Sequence, residues 1–110
     1  MPRADPDRAF ERVAAAFADD HRVTRGDGSR NGFGSTGLKV DGRLFALVSS
    51  RKQFVVKLPK ARVGELTRDP RFEHFDPGHG RLMKEWVATF AVDARWVALA
   101  REARRFVGGD

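Results

Sequence analysis

The stretch GFGSTGLKVDGRLFALVSS, Gly32–Ser50, has the pattern of a β-hairpin whose turn lies at Asp41 and Gly42. An Asp-Gly pair supplies the two residues with positive φ that a type I′ turn needs, and this turn suits the right-handed twist of paired strands. The sequence therefore predicts two antiparallel strands here, with a pairing register set by the turn itself.

The two strands of this hairpin differ in their apolar pattern. In the first strand, Leu38 and Val40 share one face. In the second strand, strict alternation opposes two sets of side chains, which are Leu44, Ala46 and Val48 on one face and Arg43, Phe45 and Leu47 on the other. Because both faces are mainly apolar, we expect the second strand to lie inside a sheet and not at its edge.

Three helices are predicted around the hairpin from their apolar spacing and end signals. They are an N-terminal helix from Asp5-Pro6 to about Asp19-Asp20, a short helix over 60–67, and a C-terminal helix capped by Asp93 and ended by Gly108-Gly109. The apolar stripe of the last helix consists of Trp96, Leu99, Ala100, Ala103, Phe106 and Val107.

Further strands are predicted on both sides of the hairpin, over 21–25, 53–58 and 82–90, with Phe72 and Phe75 as packing anchors before the last one. Alternation in this last strand opposes Trp86, Ala88 and Phe90 to Met83, Glu85, Val87 and Thr89. The predicted fold class is α+β, with a mainly antiparallel sheet, built as a meander plus one or two further strands, and the three helices.

Length and composition limit the classes of protein to consider. At 110 residues, 1–110 is expected to form a single domain. The absence of cysteine excludes disulfides, thiolate metal sites and cysteine nucleophiles. The N-terminal segment MPRAD carries charges where a signal peptide needs an apolar core, and no apolar run is long enough to cross a membrane. We therefore expect a cytoplasmic protein without a membrane partner.

The charge balance points to an anionic partner. Lys and Arg number 21 against 15 Asp and Glu, which gives a net charge of +6 and a pI near 10.7. Such values meet the electrostatic criterion for binding nucleic acid, although a solvated basic surface has the same composition.

The basic residues form three groups along the chain. Arg22, Arg25 and Arg30 flank the glycine-rich segment, the second group surrounds the turn after the hairpin, and Arg101, Arg104 and Arg105 lie on the last helix. Arg101 and Arg105 are one helical turn apart, which suits a row of phosphates. The predicted nucleic-acid-binding residues are Arg25, Arg30, Arg51, Lys52, Lys60, Arg62, Arg101 and Arg105.

The segment Gly26–Gly37 contains five glycines. A phosphate-binding loop of the common kind leads into a helix, whereas this segment leads into the strand at Leu38. We therefore interpret it mainly as a turn-rich connection. The alternative is an anion nest, in which backbone N–H groups and Arg25 or Arg30 hold a phosphate.

Other candidate sites are weaker. His74, Asp76 and His79 have side chains that ligate metals, but they supply only three ligands in a Pro- and Gly-containing loop. No nucleophile or cofactor motif accompanies them, so we expect no catalytic site, cofactor or bound metal. Trp86 and Trp96 lie on periodic apolar faces, which favours packing in the core over stacking on bases.

Two stretches, GFGSTGLKVDGRLFALVSS at 32–50 and PGHGRLMKEWV at 77–87, together with VKLPKARVGEL at 56–66, resemble the MmcQ/YjbR-like proteins. They also resemble the related N-terminal domain of TfoX/Sxy competence regulators. The resemblance covers nearly the whole chain, and its motifs are glycines, turn residues and apolar core positions. It implies a compact α+β domain of the type-III-secretion-chaperone-like class, a DNA-binding role, and no catalytic residue to carry over.

Two functions of different class follow from these observations. The first is a small non-enzymatic module that binds DNA or another nucleic acid through Arg and Lys contacts to phosphates. The alternative is a protein-binding or dimerising adaptor that uses a face or an edge of the sheet.

Overall fold

The computed structural model describes residues 5–26, 36–77, 80 and 82–109. These residues contain three helices and six strands, and the order along the chain is α1 (Pro6–Ala15), β1 (Val23–Arg25), β2 (Leu38–Val40), β3 (Arg43–Val48), β4 (Phe54–Lys57), α2 (Lys60–Leu66), β5 (Phe72–Phe75), β6 (Met83–Thr89) and α3 (Arg95–Gly108).

The strands form one six-stranded sheet in the spatial order β1-β2-β3-β4-β6-β5. All neighbouring pairs in this order are antiparallel. The first four strands form a meander, and β6 enters next to β4 so that β5 becomes an edge. The predicted α+β class, with a mainly antiparallel sheet and helices near the start, middle and end of the chain, is confirmed.

The predicted hairpin is the β2–β3 pair. Asp41 and Gly42 have φ values of 51° and 80°, and Val40 pairs with Arg43 across a two-residue turn. This is the geometry that the Asp-Gly pair predicts. β3 lies between β2 and β4, as its two apolar faces indicated.

The predicted strict alternation along β3 is wrong. Leu38 pairs with Ala46 and Lys39 pairs with Leu44, so Phe45 is an extra residue in β3. Such a bulge lets two consecutive side chains point to one face. Phe45 and Ala46 therefore share the larger core, while Leu44 and Leu47 pack on the other side of the sheet.

The larger core lies between the sheet and all three helices. Val13 of α1, Val63 of α2 and Ala103 of α3 are fully buried against strand residues such as Val56. Trp96 of α3 stacks on Phe54 with ring centroids 4.3 Å apart. The smaller cluster on the opposite face consists of Leu47, Val55, Phe75, Trp86 and Ala88. Both tryptophans are buried, which confirms the core-packing interpretation.

The predicted alternation along β6 fails at both ends. Met83 packs with the cluster of Trp86, because the pairing of β5 with β6 shifts between His74 and Phe75. Phe90 lies beyond the end of β6 and is 60 % exposed, so it does not share the buried face of Trp86.

The helix ends follow the predicted signals with small shifts. At α3 the capping residue is Ala94 and not the predicted Asp93, which lies one residue earlier and accepts from the backbone N–H of Arg95. The Asp5 carboxylate accepts from the backbone N–H groups of Asp7 and Arg8, which caps α1. Regular helix ends at Ala15, before the predicted Asp19-Asp20, and turns follow. α3 closes at Gly109, whose φ of 72° suits glycine. None of the helices in the described ranges has the length and apolar character needed to cross a membrane.

Candidate nucleic-acid interface

A basic groove lies between the C-terminal end of α3 and the turns that follow α1. Its volume is about 690 Å³. We call it the arginine groove, and its lining consists of Ala16, Phe17, Asp19, Asp20, His21, Arg22, Arg101, Arg104 and Arg105. Four arginines against two aspartates give this lining a formal charge of +2.

Two arginines of the groove face solvent. Arg101 and Arg105 are exposed and lie one turn apart on α3, because Ala100 and Ala103 occupy the side of the helix that packs on the sheet. Arg101 lies near the Phe17 ring, with its guanidinium carbon 5.9 Å from the ring centroid. Within the described part of the chain, neither Arg101 nor Arg105 forms an ion pair.

The other two arginines of the groove bind within the protein. Arg104 donates from Nε to Asp20 Oδ2 at 2.7 Å and from Nη1 to the carbonyl oxygen of Gly109 at 2.7 Å. Arg22 binds the Asp41 carboxylate through two nitrogens and donates to the carbonyl oxygen of Gly108 at 2.6 Å. Both arginines thus tie the end of α3 to neighbouring turns, and they position the walls of the groove.

These contacts also affect the titration of Asp20 and Asp41, the two aspartates that Arg104 and Arg22 bind. The hydrogen bond from Arg104 lowers the pKa of Asp20 below its ordinary value, and the hydrogen bond from Arg22 lowers the pKa of Asp41. Both carboxylates are therefore ionised at neutral pH, and each offsets the charge of its own arginine. The positive charge available to an external anion is then that of Arg101 and Arg105, and the exposed Asp19 of the lining offsets part of it.

Three other predicted residues are paired with carboxylates elsewhere. Arg25 donates to both oxygens of Glu11 at 2.9 and 2.7 Å, and Lys52 binds Asp7 at 2.8 Å. Arg62 of α2 donates from Nε to Glu102 of α3 at 2.9 Å. The Arg25 hydrogen bond lowers the pKa of Glu11. All three pairs are partly open to solvent, where an ion pair contributes little and exchanges readily.

The remaining predicted residues are also outside the arginine groove. Arg51 is exposed, and its Nη2 lies 3.5 Å from Oε1 of the buried Gln53. Lys60 is exposed at the start of α2. Arg30 lies outside the described residues. The structure therefore places Arg22 of the first basic group next to the third group on α3. The second basic group lies outside the arginine groove.

Sequence reasoning missed the structural role of Arg22 and Arg104. Arg104 and Asp20 are 84 positions apart, and Arg22 and Gly108 are 86 apart. No local spacing signals such contacts, because α3 meets the turns after α1 only when both pack on the sheet.

Most of the predicted glycine segment lies outside the described residues, since only Gly26, Thr36 and Gly37 are described there. Gly26 donates its N–H to the carbonyl oxygen of Gly37 at 3.0 Å. A β-carbon on Gly37 would lie 2.7 Å from Leu44 Cδ1 and 2.8 Å from the carbonyl oxygen of Ala46. At Gly37, close packing on β3 accounts for the glycine.

The candidate metal ligands are only partly described. His74 belongs to β5 and Asp76 follows it, whereas His79 lies outside the described residues. Among the residues that the structure describes, no three His, Asp or Glu side chains come together as a metal site would require. The arginine groove is therefore the candidate site that the described geometry supports best.

Comparison of the chain with family models, curated proteins and solved structures gives no match. The fold and the arginine groove therefore provide the basis for a functional proposal.

Proposed function

We propose that this protein is a small non-enzymatic, cytoplasmic nucleic-acid-binding module of the MmcQ/YjbR-like family. It contacts phosphates through the arginine groove. The observation that supports this proposal is the pair formed by Arg101 and Arg105, which are exposed, one helical turn apart and without ion pairs in the described part of the chain. Guanidinium groups bind phosphate oxygens through two parallel hydrogen bonds, so this pair suits two phosphates of one strand.

The mode of binding follows from which groups are accessible. Trp86 and Trp96 are buried, so neither is available as a stacking platform for bases. Phosphate contacts then dominate the affinity, which makes binding strongly dependent on salt and weakly dependent on sequence. Arg25, Lys52 and Arg62 contribute less, since each must first exchange its own carboxylate for a phosphate.

The proposal is tested by fluorescence polarisation with a labelled single strand and its duplex at about 50 and 200 mM salt. Replacing both Arg101 and Arg105 by Gln is expected to weaken binding at least about tenfold and to reduce the salt slope by about 1.4 to 1.8, because two phosphate contacts are lost.

A matched control exists on α1. Arg8 and Arg12 are also exposed and four residues apart, and they lie outside the groove. Replacing both by Gln removes the same charge, and this variant is expected to keep most of its affinity for nucleic acid. Absence of binding at low salt, or an equal loss in the control pair, contradicts the proposal.

A second candidate function is a protein-binding or dimerising adaptor, which the edge position of β5 favours. An edge strand offers unpaired backbone groups to an added strand. Light scattering at several protein concentrations measures self-association directly. A constant monomer mass contradicts the dimerising form of this candidate.

A further inference from the structure

His21 lies in the turns between α1 and β1 and belongs to the lining of the arginine groove. It is exposed, and among the described residues its imidazole forms no hydrogen bond or ion pair within the protein. Arg101 and Arg105, which supply the accessible charge of the groove, belong to the other wall, on α3. The groove therefore presents accessible nitrogen donors from both of its walls.

The backbone of His21 is held in place by its two neighbours. Asp20 accepts from the backbone N–H of Arg22 at 3.1 Å and from Nε of Arg104 at 2.7 Å. Arg22 in turn donates to the carbonyl oxygen of Gly108 at 2.6 Å. Both neighbours of His21 are thus bound to the last turns of α3, and this fixes the imidazole next to the groove.

The charge of the groove depends on the protonation of His21. Four arginines and two aspartates give the lining a charge of +2, to which a protonated imidazole adds one. The carboxylates favour the protonated imidazole and the guanidinium groups oppose it. These charged residues are Asp19, Asp20, Arg22, Arg101, Arg104 and Arg105.

His21 is the residue of this lining whose side-chain type changes its charge between about pH 5 and 8. Arginine side chains stay protonated throughout this range. The Asp20 carboxylate stays ionised, because the hydrogen bond from Arg104 lowers its pKa. A change of pH in this range therefore acts on the groove through His21.

We propose that His21 is a third phosphate ligand of the arginine groove and that it acts when protonated. A protonated imidazole donates from both ring nitrogens, so a phosphate held by Arg101 or Arg105 gains a charge-assisted hydrogen bond from the opposite wall. Nucleic-acid binding then strengthens as the pH falls, and by linkage it favours uptake of a proton. This inference rests on the proposed function and adds its regulation by pH.

A strand of oligothymidine is a suitable probe, because its bases gain no proton in the range of the test. The strand carries a rhodamine dye, whose emission is also constant there, and polarisation is measured at about pH 5.5 and 8. The unchanged protein is expected to bind at least about threefold more tightly at the lower pH. The salt slope is expected to be larger there by up to about 0.7, the value for one further phosphate contact on a single strand.

Two variants at position 21 test the role of the charge. His21→Gln stays polar but gains no proton, so it is expected to bind like the unchanged protein at about pH 8 and to lose the increase at about pH 5.5. His21→Lys is charged at both pH values and is expected to bind more tightly than the unchanged protein at about pH 8. An increase that persists in His21→Gln, or no gain in His21→Lys, overturns the inference.

The other histidines provide matched controls. The chain has three histidines, which are His21, His74 and His79. His74 belongs to β5, at the edge of the sheet opposite to β1, and lies outside the groove. His74→Gln and His79→Gln are expected to keep the tighter binding at low pH. Loss of the pH effect in either of them, with His21→Gln unaffected, assigns the effect to another histidine and overturns the inference.

The measurements also separate this inference from the proposed function. Binding at about pH 8 that is lost when Arg101 and Arg105 are both replaced by Gln supports the proposed function, whatever the effect of pH. If the unchanged protein then binds with equal affinity at both pH values, the role of His21 alone is wrong. Absence of binding at both pH values and low salt contradicts the inference and the proposed function together.

Discussion

A β-carbon on Gly108 would lie 2.6 Å from Cγ2 of Val40, so the last turn of α3 packs on β2 without room for a side chain. Val40 is fully buried and β-branched, so its methyl groups have little freedom to move aside. This contact holds the end of α3 next to the hairpin turn, where Arg22 joins Asp41 to the carbonyl oxygen of Gly108. The arginine groove begins at this turn of α3, through Arg104 and Arg105.

We predict that Gly108→Ala lowers the free energy of unfolding by about 1–3 kcal/mol, as overpacking in a core does. Urea unfolding measures the change. Gly64→Ala in α2 is the control, because nothing lies within 4 Å of its added carbon. This control is expected to raise the free energy by about 0.5–1 kcal/mol, since alanine favours helix. In a Val40→Ala background, Gly108→Ala should lower the free energy of unfolding by less than it does in the unchanged protein. An equal decrease in both backgrounds contradicts the packing argument.

Arg104 and Arg105 are adjacent on α3 but differ in their surroundings. The Arg104 side chain is 14 % exposed and bound to Asp20, whereas Arg105 is exposed. Arg104→Gln is expected to lower the urea midpoint, because Asp20 and Gly109 lose their donor. Arg105→Gln is expected to leave the midpoint unchanged while it weakens nucleic-acid binding. Equal midpoints in the two variants contradict the structural role of Arg104.

Stability is expected to fall in acid. Asp41 has an ordinary pKa of 3.8, and the hydrogen bond from Arg22 lowers the pKa in the folded protein. A lowered carboxylate pKa stabilises the fold above the unfolded value, and this contribution disappears as pH falls through the folded value. The free energy of unfolding should therefore decrease below about pH 4. Asp41→Asn should flatten this decrease, and an identical pH profile contradicts the role of the Arg22 contact.

The turn between β3 and β4 contains a residue in an unfavourable conformation. Lys52 has a φ of 69° and donates its N–H to the carbonyl oxygen of Ser49, at the position where such loops favour glycine. Lys52→Gly is expected to raise the free energy of unfolding by about 0.5–1 kcal/mol, because glycine adopts a positive φ without the strain that a β-carbon causes. The exposed ion pair of Lys52 with Asp7 contributes little, so its loss does not offset this gain. Arg51→Gly, one residue earlier and without positive φ, is expected to lower it. A change of the same sign in the free energy of unfolding of both variants contradicts the prediction.

The sequence predicted best those features that depend on neighbouring residues. The Asp41-Gly42 turn, the cap at Asp5 and the glycine after α3 are local chemistry, and each forms the structure that its residue type favours. Periodic apolar residues also placed most helices and strands in the correct order.

The wrong predictions concern residues whose side-chain direction depends on the strand that pairs with their own. The bulge at Phe45 comes from the register between β2 and β3, and the position of Met83 comes from the shifted register between β5 and β6. Alternation within one strand does not contain this information. Phe106 lies on the predicted apolar stripe but is 38 % exposed. The last turn of α3 contacts β2 through Gly108, and Phe106, two positions earlier, lies about 200° away around the helix.

The amino-acid sequence by itself determined the α+β class, the hairpin at Asp41-Gly42 and a net positive charge of +6. Only the tertiary structure decided which arginines are bound within the protein and which face solvent. The physical reason is distance along the chain, because the carboxylate that neutralises Arg104 lies 84 positions away and meets it only after α3 packs on the sheet.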